Sequence, residues 1–376
     1  MKKALFCLFL SFAVNGLAIA SSGILTDAST LPHSVTVIGN ANMHVQGIAV
    51  SPERQAMYFT FTTQFIKTDM EGHILGTIDG VPGHLGAMTL NPADGKVYAS
   101  LEYKDDEIGR GIAKSMGMDV YSRSESSYFV AVIDVDKVTR EGMTPADGVI
   151  TLVRVEDAKR DYTDSVTVGG ITYEHRYGCS GIDGMAFAPA PGKTKGRQFL
   201  YVAYGIYGDT ERSDNDHQVL ACYDVSRWDT STTTAKPRAK YFVYTGNTTY
   251  GVQNMAYDAD NGTLLLCVYP GKKASYPNYG TYPVDLRHRA TRARLKDVPY
   301  EKGKTRQLPL APLGTADRST GIYGWHYPWG STGICPMGNS LFYLSHPFRT
   351  ADGQSGCTIH LARFTPSSDQ PFKELP

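Results

Sequence analysis

One short phrase recurs five times along the chain and constrains the fold more than any other feature: HVQGIAVSP from His44, GHLGAMTLNP from Gly83, GIDGMAFAP from Gly181, GVQNMAYDAD from Gly251 and GSTGICPMGN from Gly330. Each copy opens on a small or polar lead-in, passes a Gly or Asn, runs through a few apolar residues and ends in a turn. A second β-patterned run follows every copy: AMYFTFT, KVYASLEY, QFLYVAYG, TLLLCVY and SLFYLSH. The first four units continue into further extended runs, among them FIKTDMEGHILGTI, YFVAVIDV and QVLACYDV. Helical periodicity is weak throughout. A ring of small sheets needs this pattern, because radial repetition hides strand edges that isolated sheets would expose. The expected fold class is all-β: a β-propeller of five blades, with six as the alternative if a degenerate blade lies within 104–175 or 270–325. The run SVTVIGN from Ser34 is expected to join the C-terminal strands in the last blade and so close the ring.

The first unit, GIAVSPERQAMYFTFTTQFIKTDMEGHIL, resembles the repeats of NHL and SMP-30-like propellers, in which a first strand and turn precede two strands and an Asp-x-x-Gly turn, here Asp69 to Gly72. The resemblance is at the level of the repeat and covers the larger part of the chain. It implies a fold and names no substrate.

Met1 to Lys3 supply a positive start, Ala4 to Val14 an apolar run, and Ala18-Ile19-Ala20 a small-residue cleavage pattern. Residues 1–20 therefore read as a secretory signal, which places the remainder in the periplasm or outside the cell. Asn15 and Gly16 interrupt the apolar run short of a bilayer's width, and no later segment is long and apolar enough to span one. Residues 21–376 are expected to form a single propeller domain with insertions near 104–127 and 285–310. Lys plus Arg and Asp plus Glu balance at 37 each, so no net field attracts a polyanion. The basic stretch from Arg287 to Arg306 also holds Asp297 and Glu301 and lacks interleaved aromatics, so it reads as a solvated loop, and nucleic acid is not an expected partner. Oligomeric state is not encoded in any readable motif.

Five cysteines follow the leader, Cys179, Cys222, Cys267, Cys335 and Cys357, and none forms a CxxC, which argues against structural zinc. Cys335 and Cys357 flank a hairpin-like segment, which leaves a disulfide between them open.

In a propeller the first strands line the central channel, so their lead-in segments converge on one face. Candidate catalytic residues there are His44, His84, His175 and Asp183, and candidate ligand-binding residues are Gln46, Glu102, Arg176, Tyr177, Tyr250, Gln253, Tyr327 and Trp329. Second strands run back to the same face, bringing Thr62, Glu102, Tyr204, Tyr269 and His346 toward it. A pair of carboxylates such as Glu102 and Asp183 can divide acid and base roles when their environments differ. The structural alternatives are that Asp183 caps backbone N–H groups and that Glu102, beside Lys104 in EYK, is a surface residue. Gln46, Asp183, Gln253 and Thr332 occupy equivalent repeat positions and offer oxygen, which suits either a Ca²⁺ or Mg²⁺ on the channel axis or a polar ring around water. No HxH or HExxH spacing supports a transition metal among the lead-in histidines. PWGSTGICP lacks the GxSxG setting for a nucleophilic serine, and Cys179 with His175 is a weak nucleophile–base pair. Aromatic rings beside polar groups suit sugar faces, and Arg176 suits an anionic group. Two function classes follow: a secreted hydrolase or lyase acting on a carbohydrate or other polar ligand, or a non-catalytic propeller that binds glycan or protein on the same face.

Overall fold

The computed structural model describes residues 27–39 and 44–376. The leader expected over 1–20, its cleavage position and Cys7 lie outside the described residues. Five antiparallel sheets form the blades of a β-propeller. Blade 1 pairs Val45–Val50, Met57–Phe61, Gln64–Thr68 and Ile74–Ile78 in chain order. Blade 2 pairs His84–Leu90, Val97–Tyr103, Ser127–Ile133 and Ile150–Val155. Blade 3 pairs Cys179–Pro189, Gln198–Ile206, His217–Tyr223 and Ala239–Tyr244. Blade 4 pairs Thr249–Asp258, Thr263–Tyr269 and Thr281–Asp285, and blade 5 pairs Ile334–Gly338, Leu341–Arg349 and Ser355–Phe364. The inner strands are the five repeated phrases, and they neighbour one another cyclically.

Ring closure is as expected. Ser34–Ile38 pairs antiparallel with the third strand of blade 5, Ser34 opposite His360, while Phe372–Glu374 continues the same edge with Glu374 opposite Ala362. N- and C-terminal segments thus share one blade and remove an open edge.

Strands whose two faces both meet a neighbouring blade must be apolar on both. Leu200, Val202, Tyr204 and Ile206 of blade 3 face blade 2, while Phe199, Tyr201 and Ala203 face blade 4. Met57, Phe59 and Phe61 face blade 5 and Tyr58 faces blade 2. Five buried clusters result, one per blade interface. Truncating a fully buried ring such as Phe59 to Ala would cost about 3–5 kcal/mol.

Two features depart from the sequence reading, and a point it left open is decided. The insertion at 104–127 carries a helix, Glu107–Ser115, whose cap Asp106 accepts from the Gly109 N–H, and a second helix, Glu156–Thr163, starts with two acidic residues that favour its N-terminal dipole. The 285–310 stretch is more than a solvated loop. Blade 4 has three strands, and the chain leaving it crosses to blade 3, where Thr305–Gln307 pairs parallel with Ala239–Tyr244 and Thr291–Ala293 pairs outside it. Thr234–Ala235 of blade 3 likewise covers the outer strand of blade 2. Each crossing satisfies backbone groups at an edge. Finally, Cys335 and Cys357 are free and buried, as are the other three described cysteines. Cys335 lies opposite Tyr343, Tyr343 opposite Leu361, and Cys357 four residues away along that strand, so the two cysteines stand about 10 Å apart across the sheet and about 13 Å along it, beyond disulfide reach. Among the described residues no helix is long and apolar enough to cross a membrane.

Candidate functional site

The inner strands of blades 1 to 4 are bulged near the repeated Gly or Asn, where they crowd the axis. Asn254 takes the place that glycine holds elsewhere and uses the space: its amide donates to Gln46 O and Ser331 O, both at 2.8 Å, tying blade 4 to blades 1 and 5. Gln46 donates to Thr62 Oγ1 at 3.1 Å, and Thr332 Oγ1 lies 2.9 Å from Ser345 Oγ.

Between blades 2 and 3 lies a buried charge cluster. Glu102 is 2% exposed, which overturns its reading as a surface residue. Tyr98, Ser100, Glu102 and Lys104 alternate along one strand and its extension, so they share the face toward blade 3. Glu102 Oε1 accepts the Ile182 N–H at 2.5 Å, while Oε2 lies 2.9 Å from Lys104 Nζ and 3.4 Å from His84 Nδ1. Lys104 also donates to Ser180 O at 3.1 Å and reaches Asp106 at 3.4 Å. Glycine at 181 makes this possible: its φ is 129°, and a Cβ there would sit 1.9 Å from Glu102 Oε1. Burial by itself would raise the Glu102 carboxyl, but the Lys104 ammonium and the His84 contact overcome it and hold the group below its ordinary value. For Lys104, burial lowers the ammonium while Glu102 and Asp106 more than offset that and raise it. This pair stays charged at neutral pH.

Asp183 stands on the adjacent inner strand and behaves oppositely. Its carboxyl is buried and pushed up to about 7, first by desolvation and then by the negative charge of Glu102, against opposing effects of His84, Lys104 and Gln253. Gln253 Nε2 donates to Asp183 Oδ2 at 3.1 Å and to Tyr250 O at 2.9 Å. Gly86 lets the carboxylate in, since a Cβ there would lie 2.9 Å from Asp183 Oδ1 and 2.4 Å from Ser100 Oγ. His44 adjoins the cluster, its Nδ1 2.7 Å from Val45 O, and its imidazole is shifted down by burial and, less strongly, by His84 and Arg349. Tyr250 is 45% exposed and meets Tyr269 edge-on at 6.5 Å. Within one small region a carboxylate fixed as an anion, an ammonium, an imidazole and a carboxyl poised near neutrality face one another. Such a set can donate and accept a proton without a metal ligand changing place.

The structure gathers His84, Glu102, Asp183 and Gln253, with His44 and Tyr250 beside them. Other expected residues have different neighbours. His175 packs against Tyr162 at 4.6 Å and Tyr207 at 5.2 Å. Arg176 pairs with Asp164 at 3.3 Å and Glu301 at 3.4 Å, so its fork is already engaged. Tyr177 is buried between blades 2 and 3 and donates to Glu301 Oε2, and Tyr327 is buried against Phe372. Trp329 stacks on His346 at 3.8 Å. The Cys179 thiol is fully buried and shifted up by desolvation and Asp161, which disfavours the thiolate that nucleophilic attack needs. Among the described residues, the groupings of three or more His, Cys, Asp and Glu ligand atoms close enough for one ion leave out Asp183. For a hard cation on the axis, Thr332 is committed to Ser345 and the Gln46 and Gln253 amides donate to neighbours, leaving their carbonyl oxygens and one half-protonated carboxyl. Lys104 and Asn254 are the cluster members that sequence reasoning missed. The signal for Lys104 was the two-residue spacing that runs from Ser100 through Glu102 to Lys104.

A cavity of about 330 Å³ lies in the other half of the channel and is walled by Ile48, Met88, Ala186, Met255 and Ile334. Asp258 and Asp260 also line it, with Asp258 tied to Asn261 at 2.7 Å and shifted up by burial, whereas the polar cluster sets several charged groups against one another in little volume. Beside His84, Glu102 and Lys104 only about 10 Å³ is open, beneath the helix Glu107–Ser115. The polar cluster carries the functional argument because its protonation states are set apart by named charges.

No family model and no curated protein matches the chain. Solved structures share likeness at low identity. A structural-genomics target described as a candidate gluconolactonase is 11% identical, covering 88% of this chain and 93% of its own, with a TM-score of 0.33. The Dos1 propeller is 9% identical, covering 89% of this chain and 82% of its own, with a TM-score of 0.34. The designed protein Ika4 is 10% identical, covering 63% of this chain and 92% of its own, with a TM-score of 0.28.

Proposed function

We propose that the polar end of the channel is a ligand site where Asp183 exchanges a proton with a carbohydrate or comparable polar ligand, in an exported propeller of hydrolase or lyase type. The observation that carries this reading is the Asp183 carboxyl, buried and pushed up to about 7. A group poised there has both protonation states populated at neutral pH, which is where general acid–base catalysis is most effective. Glu102, held as an anion by Lys104, orients His84 and raises Asp183, so the two carboxylates have divided roles. Tyr250 supplies an exposed ring for a sugar face. Export follows from the leader pattern ending at Ala20.

The test is a panel of neutral and uronate-containing glycans, with binding, turnover and melting temperature measured for the wild type and for Asp183→Asn. The reading expects a ligand whose turnover falls by at least about 10²-fold in the variant without loss of the fold. Equal binding and turnover in both proteins would refute it. A second reading, a non-catalytic propeller binding glycan or protein, is favoured by the hydrogen bonds that already engage Gln46, Gln253, Asn254 and Thr332 within the protein and by the small open volume beside His84. Binding retained with no turnover of any panel member would select it.

A further inference from the structure

The geometry points to a binding site for a divalent late first-row transition metal ion, Zn²⁺ foremost, built from His346, His360 and Glu374 of blade 5. The three residues come from three adjacent strands: Leu341–Arg349, Ser355–Phe364 and the closing strand Phe372–Glu374. The register sets Leu344 opposite His360 and Ala362 opposite Glu374, so the three side chains form a diagonal on the sheet face that packs toward blade 4. Their ligand atoms all lie within 4.8 Å of one another. Glu374 Oε1 is 3.2 Å from His346 Nε2, and Oε2 is 3.4 Å from His360 Nδ1.

Those separations match a metal polyhedron. Ligands at about 2.0–2.2 Å from a tetrahedral Zn²⁺ stand about 3.4 Å apart along each edge. Two imidazoles and one carboxylate are a donor set that suits Zn²⁺, Ni²⁺ or Cu²⁺ and disfavours Ca²⁺ and Mg²⁺, which take oxygen. The imidazoles are already side by side, ring centres 4.4 Å apart. His346 Nε2 is enclosed and makes no aligned hydrogen bond despite the nearby carboxylate. Trp329 stacks on the His346 ring at 3.8 Å and 22°, fixing its plane as an outer partner would. Side-chain exposures of 20%, 26% and 40% for His346, His360 and Glu374 leave a path for the ion and room for a fourth, solvent ligand. The other acidic and histidine grouping, Asp69, Glu71 and His73, sits in an exposed turn whose Asp69 is spent on the Glu71 and His73 N–H groups, and it serves as a control.

Bound metal would staple the last strand to the two before it, so binding and ring stability are linked. The experiment uses the full chain, stripped with a chelator and titrated calorimetrically with Zn²⁺ alone, followed by the visible absorption of the Co²⁺ form. One equivalent is expected, with a rise in melting temperature on saturation. Glu374→Gln and His360→Gln should each weaken binding more than about 100-fold, the upper end of what outer-partner changes cost, and abolish the melting shift. Asp69→Asn should leave both unchanged. Glu374 is half-exposed, so loss of Zn²⁺ binding by Glu374→Gln at an unchanged metal-free melting temperature decides the matter even if a histidine variant unfolds. Absence of saturable one-to-one binding, or binding that survives His346→Gln with His360→Gln, would overturn the proposal.

Discussion

Replacing Glu102 by Gln removes one charge from a buried site, where the residue is 2% exposed. Gln keeps an acceptor for the Ile182 N–H but leaves Lys104 with Asp106 at 3.4 Å and Ser180 O at 3.1 Å as its remaining partners. Breaking a buried ion pair from one side costs about 3–5 kcal/mol, and the surviving contacts of Lys104 place this case near about 3. Lys104→Met strands Glu102 in the same way and should cost a similar amount. The double variant buries two neutral groups and strands no charge, so it should cost less than either single variant and well below the sum of about 6 kcal/mol. Urea unfolding of the four proteins at pH 7, with the denaturant slope held constant, measures each value. Single variants that lose less than about 1 kcal/mol, or a double variant equal to the sum, would show that the charges do not act as a buried pair.

Asp183→Asn should change stability with a definite sign. The folded carboxyl at about 7 lies above its ordinary 3.8, so between these values the folded chain holds a proton that the unfolded chain releases, and wild-type stability falls as pH rises through that window. At about 1.4 kcal/mol per decade the loss is at most about 4 kcal/mol, so the variant should be the more stable protein at pH 8 and its pH profile flatter; an unchanged slope would contradict this. Gly181→Ala should cost at least about 3 kcal/mol in urea unfolding, because the new Cβ would lie 1.9 Å from Glu102 Oε1 at a φ of 129°; a variant of wild-type stability would place Glu102 elsewhere. Reductant should leave the melting temperature unchanged, and native-state alkylation should label none of the five described cysteines, whose thiols burial shifts up; a reductant-sensitive transition would reveal a disulfide.

The blade count and closure were legible because the repeated phrase marks the inner strand, the only strand that must crowd an axis, and because SVTVIGN had no other partner. Strand partners crossing between blades were not legible: Thr305–Gln307 adds to blade 3 from a segment after blade 4, and no local pattern announces a long-range edge pairing. For the site, the lead-in positions pointed to Asp183, His84 and Gln253, since they depend only on where inner strands begin. Glu102 was misjudged by its charged neighbour. Strand alternation puts Lys104 on the same face as Glu102, and blade 3 buries both. Arg176 and Tyr177 were drawn off by Glu301, which lies more than a hundred residues away in sequence and reaches them through the blade-crossing insertion.

Central to the proposed function is Asp183, a carboxyl pushed up to about 7 at the polar end of the channel. Carboxyl-carbon NMR of protein labelled at aspartate, followed across pH 3 to 9 in the wild type and in Asp183→Asn, observes it directly. One resonance with a midpoint near 7, absent from the variant, is the predicted result. A spectrum in which every aspartate, Asp183 included, titrates in the ordinary carboxylate range would contradict it.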